Sequence, residues 1–278
     1  MRREAPRTLF SVSRKYQKNI EDLDYEVIAI DNGSTERLSP QEVTKFGDNF
    51  HYQYIEATSP SPCKAINDAV RSASGEYVIC CIDGARILSP GIIRKMLDAA
   101  ESHIKPFVYT LSMHLGEKIQ NEAIAEGYNQ QEENELLASA NWKTNGYKLF
   151  SISCLAASAK DGVFSQVNET NCFMMRKEDY LKLGGYNESF ISPGGGLCNH
   201  DIFNRVHQDK EVIPIMLVGE ATFHQYHGGV ATNAKPNKHP WPEFNNEYKA
   251  IYGKYWEPQY RKPIYIGELN EQIIDIKN

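Results

Sequence analysis

The stretch SGEYVICCIDGARILSPG, residues 74–91, decides the fold class. It contains an apolar run, Tyr77–Ile82, which ends at Asp83 and is followed by Ser89-Pro90. An uninterrupted apolar run is typical of a strand that is buried on both faces. Serine followed by proline is typical of a helix start, because serine caps free N–H groups and proline tolerates the first helical position. The stretch therefore predicts a buried strand, an aspartate at its end and a following helix.

The same pattern of strand and helix extends to both sides of this stretch. Upstream, Tyr25–Asp31 (YEVIAID) is another β-prone run that ends in an aspartate, before a turn-forming Asn-Gly-Ser cluster. The turn, capping and periodicity signals predict further elements: helices over residues 61–75 and 91–101, and a strand over 106–112. Alternating buried strands and helices predict an α/β fold with a mostly parallel central sheet and helices on both faces. Asp31 and Asp83 then share the edge of the sheet at which open α/β folds bind ligands.

The second half of the sequence changes character before it returns to strands. Residues 116–165 are polar and helical in pattern, and we expect them to form an insertion over one side of the domain. The signals after it predict strands over 171–176, 211–218 and 221–227, a short helix over 178–183 and a helix from Asn199. Residues from about 232 to 278 are rich in Pro, Trp, Tyr and Asn and predict an extension that packs on the domain.

Composition excludes several classes of protein. Thirty Lys and Arg against thirty-six Asp and Glu give a net charge of −6, which argues against a nucleic-acid partner. The longest apolar run falls far short of the about 20 residues that a transmembrane helix needs. The N-terminus has no apolar segment of the kind found in a signal peptide. The six cysteines form no CxxC pair and suit a reducing compartment, so we expect a cytoplasmic protein.

Three segments in this order and spacing resemble glycosyltransferase family 2, the nucleotide-sugar transferases of GT-A fold. They are YEVIAIDNGSTE, SGEYVICCIDGARILSPG, and NCFMMRKEDYLKLGGYNESF followed by GGGLCNHDIFNRV. The resemblance implies a single GT-A domain over residues 1–231, with a nucleotide half of about 1–112 and an acceptor half of about 113–231. It also implies a nucleotide-sugar donor, UDP- or GDP-linked, and a carbohydrate or small hydroxylated acceptor. The sequence does not indicate the oligomeric state.

The resemblance assigns the donor site to strand ends and one helix start. Asp31 would bind the base of the nucleotide, and Lys64, at a helix start, would meet phosphate. Turn-capping by Asp31, turn-capping by Asp83 before Gly84, and solvent exposure of Lys64 are the structural alternatives. Asp83 would bind the pyrophosphate through a divalent ion, Mn²⁺ or Mg²⁺. The second acidic residue of the family's metal motif is replaced by Ala85 here.

The metal site therefore needs ligands other than a second carboxylate. The segment FHQYHGG offers His227, which we favour, and His224. Side chains three residues apart in a strand point to opposite faces, so both histidines reach one ion only if the strand ends between them. The following Gly-Gly pair predicts that it does end there.

The catalytic base is open from the sequence. The acidic pair of the family pattern reads Cys198-Asn199 here, and only Asp201 keeps an acidic position in this segment. Asp201 is therefore one candidate for the base that inversion requires. Alternatively, Asn199 stands at the base position and no protein base acts, as in retaining relatives. A third interpretation makes Asp201 a helix first-turn residue that is favoured by the helix dipole.

The sequence opens at MRREAPRTLFSVSRKYQ, which resembles the helix after the family's first strand. We therefore expect an unfilled central position next to the strand that ends at Asp31. The segment Lys262–Leu269 (KPIYIGEL) is the best candidate to fill it, with Pro263 at the strand's start. This departure, with Ala85 and Asn199, keeps open a degenerate domain that binds nucleotide or glycan without turnover. A sugar-nucleotide pyrophosphorylase is less compatible, because no Gly-rich phosphate loop is visible.

Overall fold

A computed structural model describes residues 1–269, and within them the chain forms nine helices and nine strands. The helices are α1 (Ala5–Ser11), α2 (Pro40–Thr44), α3 (Cys63–Ser72), α4 (Ile92–Glu101), α5 (Gln120–Ala123), α6 (Gln130–Ala140), α7 (Lys177–Lys182), α8 (Cys198–Gln208) and α9 (Trp241–Tyr252). The strands are β1 (Val27–Asn32), β2 (Phe50–Ile55), β3 (Tyr77–Cys81), β4 (Arg86–Leu88), β5 (Pro106–Leu115), β6 (Ser153–Leu155), β7 (Cys172–Arg176), β8 (Ile213–His224) and β9 (Ile264–Gly267). Short 3-10 helices connect several of them.

Seven of the strands form one sheet, in the order β3-β7-β5-β8-β4, with β6 beside β5 and β9 beside β8. Only the β5–β8 and β8–β9 pairs within it are parallel. The expectation of an α/β fold is confirmed, but the expectation of a mostly parallel sheet is wrong. Continuous apolar runs report burial on both faces and not strand direction, and β7 runs antiparallel to both of its neighbours.

Helices cover both faces of this sheet, as predicted. All ten residues of β5 are buried, and successive side chains point to opposite faces of the sheet. Phe107 and Tyr109 pack toward α3 and α8, whereas Val108 packs toward α4. This double coverage explains why Pro106–Tyr109 lacks polar residues, whereas Thr110, Ser112 and His114 alternate with apolar residues although they too are buried.

The predicted strands at 211–218 and 221–227 are one strand, β8, of twelve residues. Gly219 lies at φ +88°, and the β5–β8 register shifts between Tyr109 and Leu111, so a bulge occurs where we expected a break. The strand ends at His224, as the Gly-Gly signal after His227 requires. The insertion after residue 116 contains α5 and α6, in agreement with its polar helical pattern.

β1 and β2 form a separate parallel sheet of two strands. Within residues 1–269, β1 pairs only with β2 and β3 pairs only with β7, and both β1 and β3 line the same cavity. The expectation that Lys262–Leu269 fills the position beside β1 is wrong. Its β9 residues pair with Ile215–Val218 of β8, because the apolar edge of that strand is available on the far side of the sheet.

Candidate functional site

A cavity of about 1610 Å³, here called the cleft, runs between β1 and β3 and past their carboxyl ends. Asp31 and Asp83 line it, as the strand-end argument predicts. It continues past Asn199 at the start of α8 to Trp241 on α9 and to Trp256. The C-terminal extension thus supplies part of the wall of the cleft.

The two carboxylate oxygens of Asp83 make different contacts: one caps a backbone turn and the other faces two histidines. Oδ1 accepts a hydrogen bond from the backbone N–H of Ala85 (3.0 Å), which is the turn-capping role. Oδ2 lies 3.0 Å from Nε2 of His224 and 3.6 Å from Nε2 of His227. The turn therefore holds the carboxylate so that its second oxygen points at both histidines.

His224 is fully buried, and Gln120 determines which of its ring nitrogens carries the proton. The side-chain amide of Gln120 donates from Nε2 to the backbone carbonyl of His224 (2.9 Å), so Oε1 faces the ring. Nδ1–H of His224 then donates to that Oε1 at 2.7 Å. In the neutral ring this leaves the lone pair of Nε2 directed at Asp83.

His227 lies just beyond the end of β8, in a loop that Asn233 organises. The Oδ1 atom of Asn233 accepts hydrogen bonds from the backbone N–H groups of His227, Gly228 and Gly229, at 3.2, 2.9 and 2.8 Å. Nε2 of His227 lies 3.2 Å from Nε2 of His224. Gly228, at φ +81°, allows the turn that brings the second ring back to the first.

Two side chains of this cluster have the protonation states that metal ligands need. Burial acts to raise the pKa of Asp83, but His224, His227 and the guanidinium of Arg86 together hold it well below its usual value. Burial lowers the pKa of His224 to about 4, against the opposing effect of Asp83. Near neutral pH an ionised carboxylate therefore faces an unprotonated imidazole nitrogen at 3.0 Å.

The three side chains also have the geometry of a ligand set. One ligand atom from each of Asp83, His224 and His227 lies within 4.8 Å of the other two. Two lone-pair donors and one anionic oxygen that converge on one point repel one another unless a proton or a metal ion lies between them. The residues present thus fit a divalent cation, and Gln120 gives the fixed ring orientation that such ligands commonly have.

Asp31 has the position expected of it. Its Oδ1 accepts from the backbone N–H of Ser34 (2.8 Å), and its Oδ2 accepts from the hydroxyl of Tyr52 (2.9 Å). Asp31 therefore caps the turn at Ser34 and also lines the cleft. The Tyr52 hydroxyl fixes the carboxylate at the carboxyl end of β1, on the wall of the cleft.

The structure does not bring Lys64 or Asp201 into the cleft. The ammonium of Lys64 is exposed and pairs with Asp68 one helical turn on, at 2.5 Å. The carboxylate of Asp201 is buried and bonds the guanidinium of Arg205 at 2.9 Å, within the same helix. The i, i+4 spacing on a helix surface explains both pairings, and it competes with the ligand roles that we expected.

Asn199 does line the cleft, as the first turn of α8 places it there. Its amide donates to Oδ1 of Asn171 (2.7 Å), and its own Oδ1 accepts from the hydroxyl of Tyr186 (3.2 Å). A carboxamide takes up no proton near neutral pH, so Asn199 cannot act as a general base.

Several residues of the site are not predicted by the sequence: Gln120, Asn233, Glu169, Trp241 and Trp256. Gln120 comes from the inserted helical region, and Asn233 from the start of the C-terminal extension. No local motif marks them, because their roles arise only when distant segments meet at the end of β8. The one available signal was the tryptophan content of the extension.

The fold and the site together define an α/β domain of GT-A type, with an acidic residue and histidines at the ligand edge of its sheet. The family model described as "Glycosyltransferase like family 2" matches residues 8–228. The chain therefore belongs to glycosyltransferase family 2. No curated protein matches it.

Solved structures support the fold. The crystal structure of S. aureus TarS 1-349 in complex with UDP is 13% identical, with a TM-score of 0.50. The alignment covers 82% of this chain and 58% of that one. A second crystal structure of S. aureus TarS 1-349 matches at the same identity and TM-score, over 81% of this chain and 57% of that one. This chain thus spans less than two thirds of these relatives, and at this identity they show the fold alone.

Proposed function

We propose that this chain is a metal-dependent glycosyltransferase that moves a sugar from a UDP-linked donor to a carbohydrate or small hydroxylated acceptor. The convergence of Asp83, His224 and His227 at the ligand edge of the sheet carries the proposal. Because S. aureus TarS 1-349 has been crystallised in complex with UDP, UDP is the first nucleotide to test, ahead of GDP.

The chemistry at this end of the cleft follows from charge. Cleavage of the bond between sugar and phosphate leaves negative charge on the nucleotide, and a bound divalent ion supplies a Lewis acid for it. Asp83, His224 and His227 would hold that ion, and Asp31 would accept a hydrogen bond from the nucleotide base. Arg86, almost fully buried at 3.9 Å from Asp83, adds positive charge behind the carboxylate.

The ligand set favours Mn²⁺ over Mg²⁺. Mg²⁺ takes oxygen ligands and keeps its waters, whereas imidazole nitrogen suits first-row transition metals. A site with two imidazoles and one carboxylate is therefore a poor Mg²⁺ site. Ala85, fully buried at the position of the second acidic residue, offers no further oxygen side chain.

A second function, binding of nucleotide or glycan without turnover, is supported by the acceptor half. Asn199 stands where the family has an acidic residue, and the carboxylate of Asp201 forms an ion pair with Arg205. These two observations bear on proton transfer and not on the donor site. A transferase and a nucleotide-binding domain therefore differ in turnover and share nucleotide binding.

Calorimetric titration of UDP with and without MnCl₂ tests the donor site. We expect binding that needs Mn²⁺, with weaker binding when MgCl₂ replaces it. Asp83→Asn should abolish the Mn²⁺-dependent part, and Asp98→Asn, on the exposed side of α4, is the matched control. Equal UDP affinity with and without Mn²⁺ in the wild type would reject the metal site.

A donor-hydrolysis assay then separates the two functions. Wild-type protein is incubated with Mn²⁺ and a panel of UDP-sugars, and released UDP is measured over time. UDP release supports the transferase, because a transferase slowly passes its sugar to water. Mn²⁺-dependent UDP binding without release from any donor supports the binding domain.

A further inference from the structure

The acceptor half of the cleft contains a carboxylate that the sequence did not single out. The β3–β7 pairing continues past its last paired residues, because the backbone N–H of Ile82 donates to the carbonyl of Asn171 at 3.1 Å. Glu169 lies two residues before Asn171, on the segment that enters β7 at the edge of the sheet where β3 ends. Glu169 lines the cleft with its side chain about one fifth exposed.

Position distinguishes Glu169 from the other acidic residues of the cleft. Asp24, Glu26 and Glu76 precede β1 and β3 and so lie at the opposite edge of the sheets. Asp31 and Glu36 belong to the donor side. In the part of the chain that the structure describes, Glu169 is the one acidic residue of residues 113–231 that lines the cleft.

His200 and two tryptophans surround this carboxylate. Nδ1 of His200 lies 3.7 Å from Oε2 of Glu169, and this buried nitrogen has no hydrogen-bond partner among residues 1–269. The His200 ring packs edge-on against Trp256 and Trp241, at 4.8 and 5.6 Å between centroids. Burial lowers the pKa of His200, so its ring is neutral near pH 7 and leaves the Glu169 carboxylate free of a fixed cation.

The two tryptophans give this end of the cleft the character of a sugar-binding wall. Their rings meet edge-on, 5.7 Å between centroids, and Trp241 is 38% exposed. The C–H face of a sugar ring is apolar and packs on aromatic surface, while its hydroxyls need polar partners at the rim. Asn199 and Glu169 supply such partners on the same cleft.

We propose that Glu169 is the catalytic base of the acceptor site and that Trp241 and Trp256 form the wall on which the acceptor sugar packs. This proposal rests on the proposed transferase function. The acceptor O–H bond breaks and its proton goes to the Glu169 carboxylate, while the acceptor oxygen bonds the anomeric carbon of the donor. The bond from that carbon to the phosphate oxygen breaks, and its electron pair leaves with UDP. His200 and the two tryptophans pack beside Glu169, and Asn199 orients the acceptor.

The test compares UDP release by wild type and by Glu169→Gln, with Mn²⁺, a panel of UDP-sugars, and methyl glycosides or water as acceptor. We expect kcat to fall about 100-fold or more, the range for loss of a general base, with the Kd for UDP and Mn²⁺ unchanged. Formate, a small carboxylate, should restore part of the activity of Glu169→Ala but not of Glu169→Gln. Glu178→Gln, an exposed carboxylate on α7, is the control.

Each outcome decides the proposal. A Glu169→Gln enzyme that keeps half or more of wild-type turnover would overturn the role of Glu169 and leave the donor site intact. Wild-type protein that binds UDP and Mn²⁺ yet releases no UDP from any donor would overturn it as well, in favour of the binding domain. Failure to bind UDP at all would reject the proposed function itself. Trp256→Ala should raise the acceptor KM with donor KM unchanged, and an unchanged acceptor KM would reject the wall.

Discussion

At the scale of single residues, the side chain of Gln120 carries more of the site than its position in a polar insertion suggests. It holds His224 in one ring orientation and one tautomer through two hydrogen bonds. It also accepts from the amide of Asn233 (3.0 Å), which organises the loop of His227. Both histidines of the proposed metal site therefore depend on this one amide.

Replacing Gln120 by alanine should weaken Mn²⁺ binding by about 10–100-fold, the usual effect of losing a residue that orients a metal-ligating histidine. Calorimetric titration of the protein with MnCl₂ in the presence of UDP measures this affinity, and Asp83→Asn, which we expect to lose Mn²⁺ binding, is the reference for complete loss. Gln131→Ala, an exposed glutamine on α6, is the control. An affinity equal to wild type would show that His224 does not need Gln120 to be oriented.

The buried His224 also makes a prediction about acid stability. Its folded pKa of about 4 is depressed from the ordinary 6.5, so the unfolded chain binds a proton more readily than the folded one between these values. The stability is therefore fully present above pH 6.5 and is lost as pH falls toward 4. The contribution is about 3.5 kcal/mol at most, since one pKa unit corresponds to about 1.4 kcal/mol.

Urea unfolding of the metal-free protein between pH 7 and pH 4.5 measures this effect. His224→Asn should flatten the decline in the free energy of unfolding, because an amide does not titrate. His51→Asn, an exposed histidine on β2, should leave the slope unchanged. If the His224→Asn slope equals that of wild type, other groups account for the decline.

At the scale of elements, the bulge in β8 keeps the strand continuous while it turns Glu220 into the core. The buried carboxylate of Glu220 accepts hydrogen bonds from Tyr147 (2.7 Å) and from the backbone N–H of Gly91, and it pairs with Lys95 at 2.7 Å. Gly219 permits this with φ +88°, where a side chain is strained. A Cβ there would lie 2.0 Å from the carbonyl oxygen of Glu268.

Gly219→Ala should therefore lower the free energy of unfolding more than a comparable glycine change elsewhere. Gly184 is the matched control, with φ +87° and no heavy atom within 4 Å of an added Cβ. Backbone strain of about 1–3 kcal/mol applies to both, and the clash applies only to Gly219. If both variants lose the same free energy of unfolding in denaturant, the segment after β9 moves away from the added Cβ without a measurable loss of stability.

The sequence predicted elements where a single local signal decides them. The runs that end at Asp31 and Asp83 are strands as predicted, and the Ser-Pro pair before α4 does precede a helix. The sequence missed β2 and β4, whose residues pair only after distant segments meet, and it divided β8 at Gly219. A glycine with positive φ occurs equally in a turn and in a bulge, so the sequence does not distinguish them.

The site shows the same division. Asp83, His224 and His227 follow from strand ends and a Gly-Gly turn, and the structure brings them together. Lys64 and Asp201 also carry plausible charges, but each finds an oppositely charged residue four positions away on its own helix. The i, i+4 spacing is visible in the sequence, but the choice between helix pairing and a ligand role is not. Gln120 and Glu169 depend on tertiary contacts and have no local signal.

At the scale of the whole molecule, the cleft separates two sheets. The backbones of β1 and β3 line it, and each strand has a partner on only one side within the described residues. All six residues of β1 are partly exposed, which is unusual for an apolar strand. Met1 lines the same cleft near Gly84, past the carboxyl end of β3. No helix within residues 1–269 has the length and apolar character to cross a membrane.

An apolar strand of six residues, the length of β1, fused ahead of Met1 should occupy this position. It would pair with backbone groups of β1 and β3, and each added hydrogen bond contributes about 0.5–1.5 kcal/mol net. We expect a higher Tm and slower amide hydrogen exchange in β1 and β3. A Gly-Ser fusion of equal length is the control. Exchange rates that match this control would show that the two sheets do not accept a strand between them.

The central claim is that Asp83, His224 and His227 bind one metal ion in the donor site. Crystals grown with UDP and MnCl₂ and measured at the manganese absorption edge test it directly. We expect one anomalous peak between Oδ2 of Asp83 and Nε2 of both histidines, at about 2.0–2.2 Å from the oxygen and nitrogen ligands. Ordered UDP in the cleft with no anomalous peak among these three side chains would contradict it.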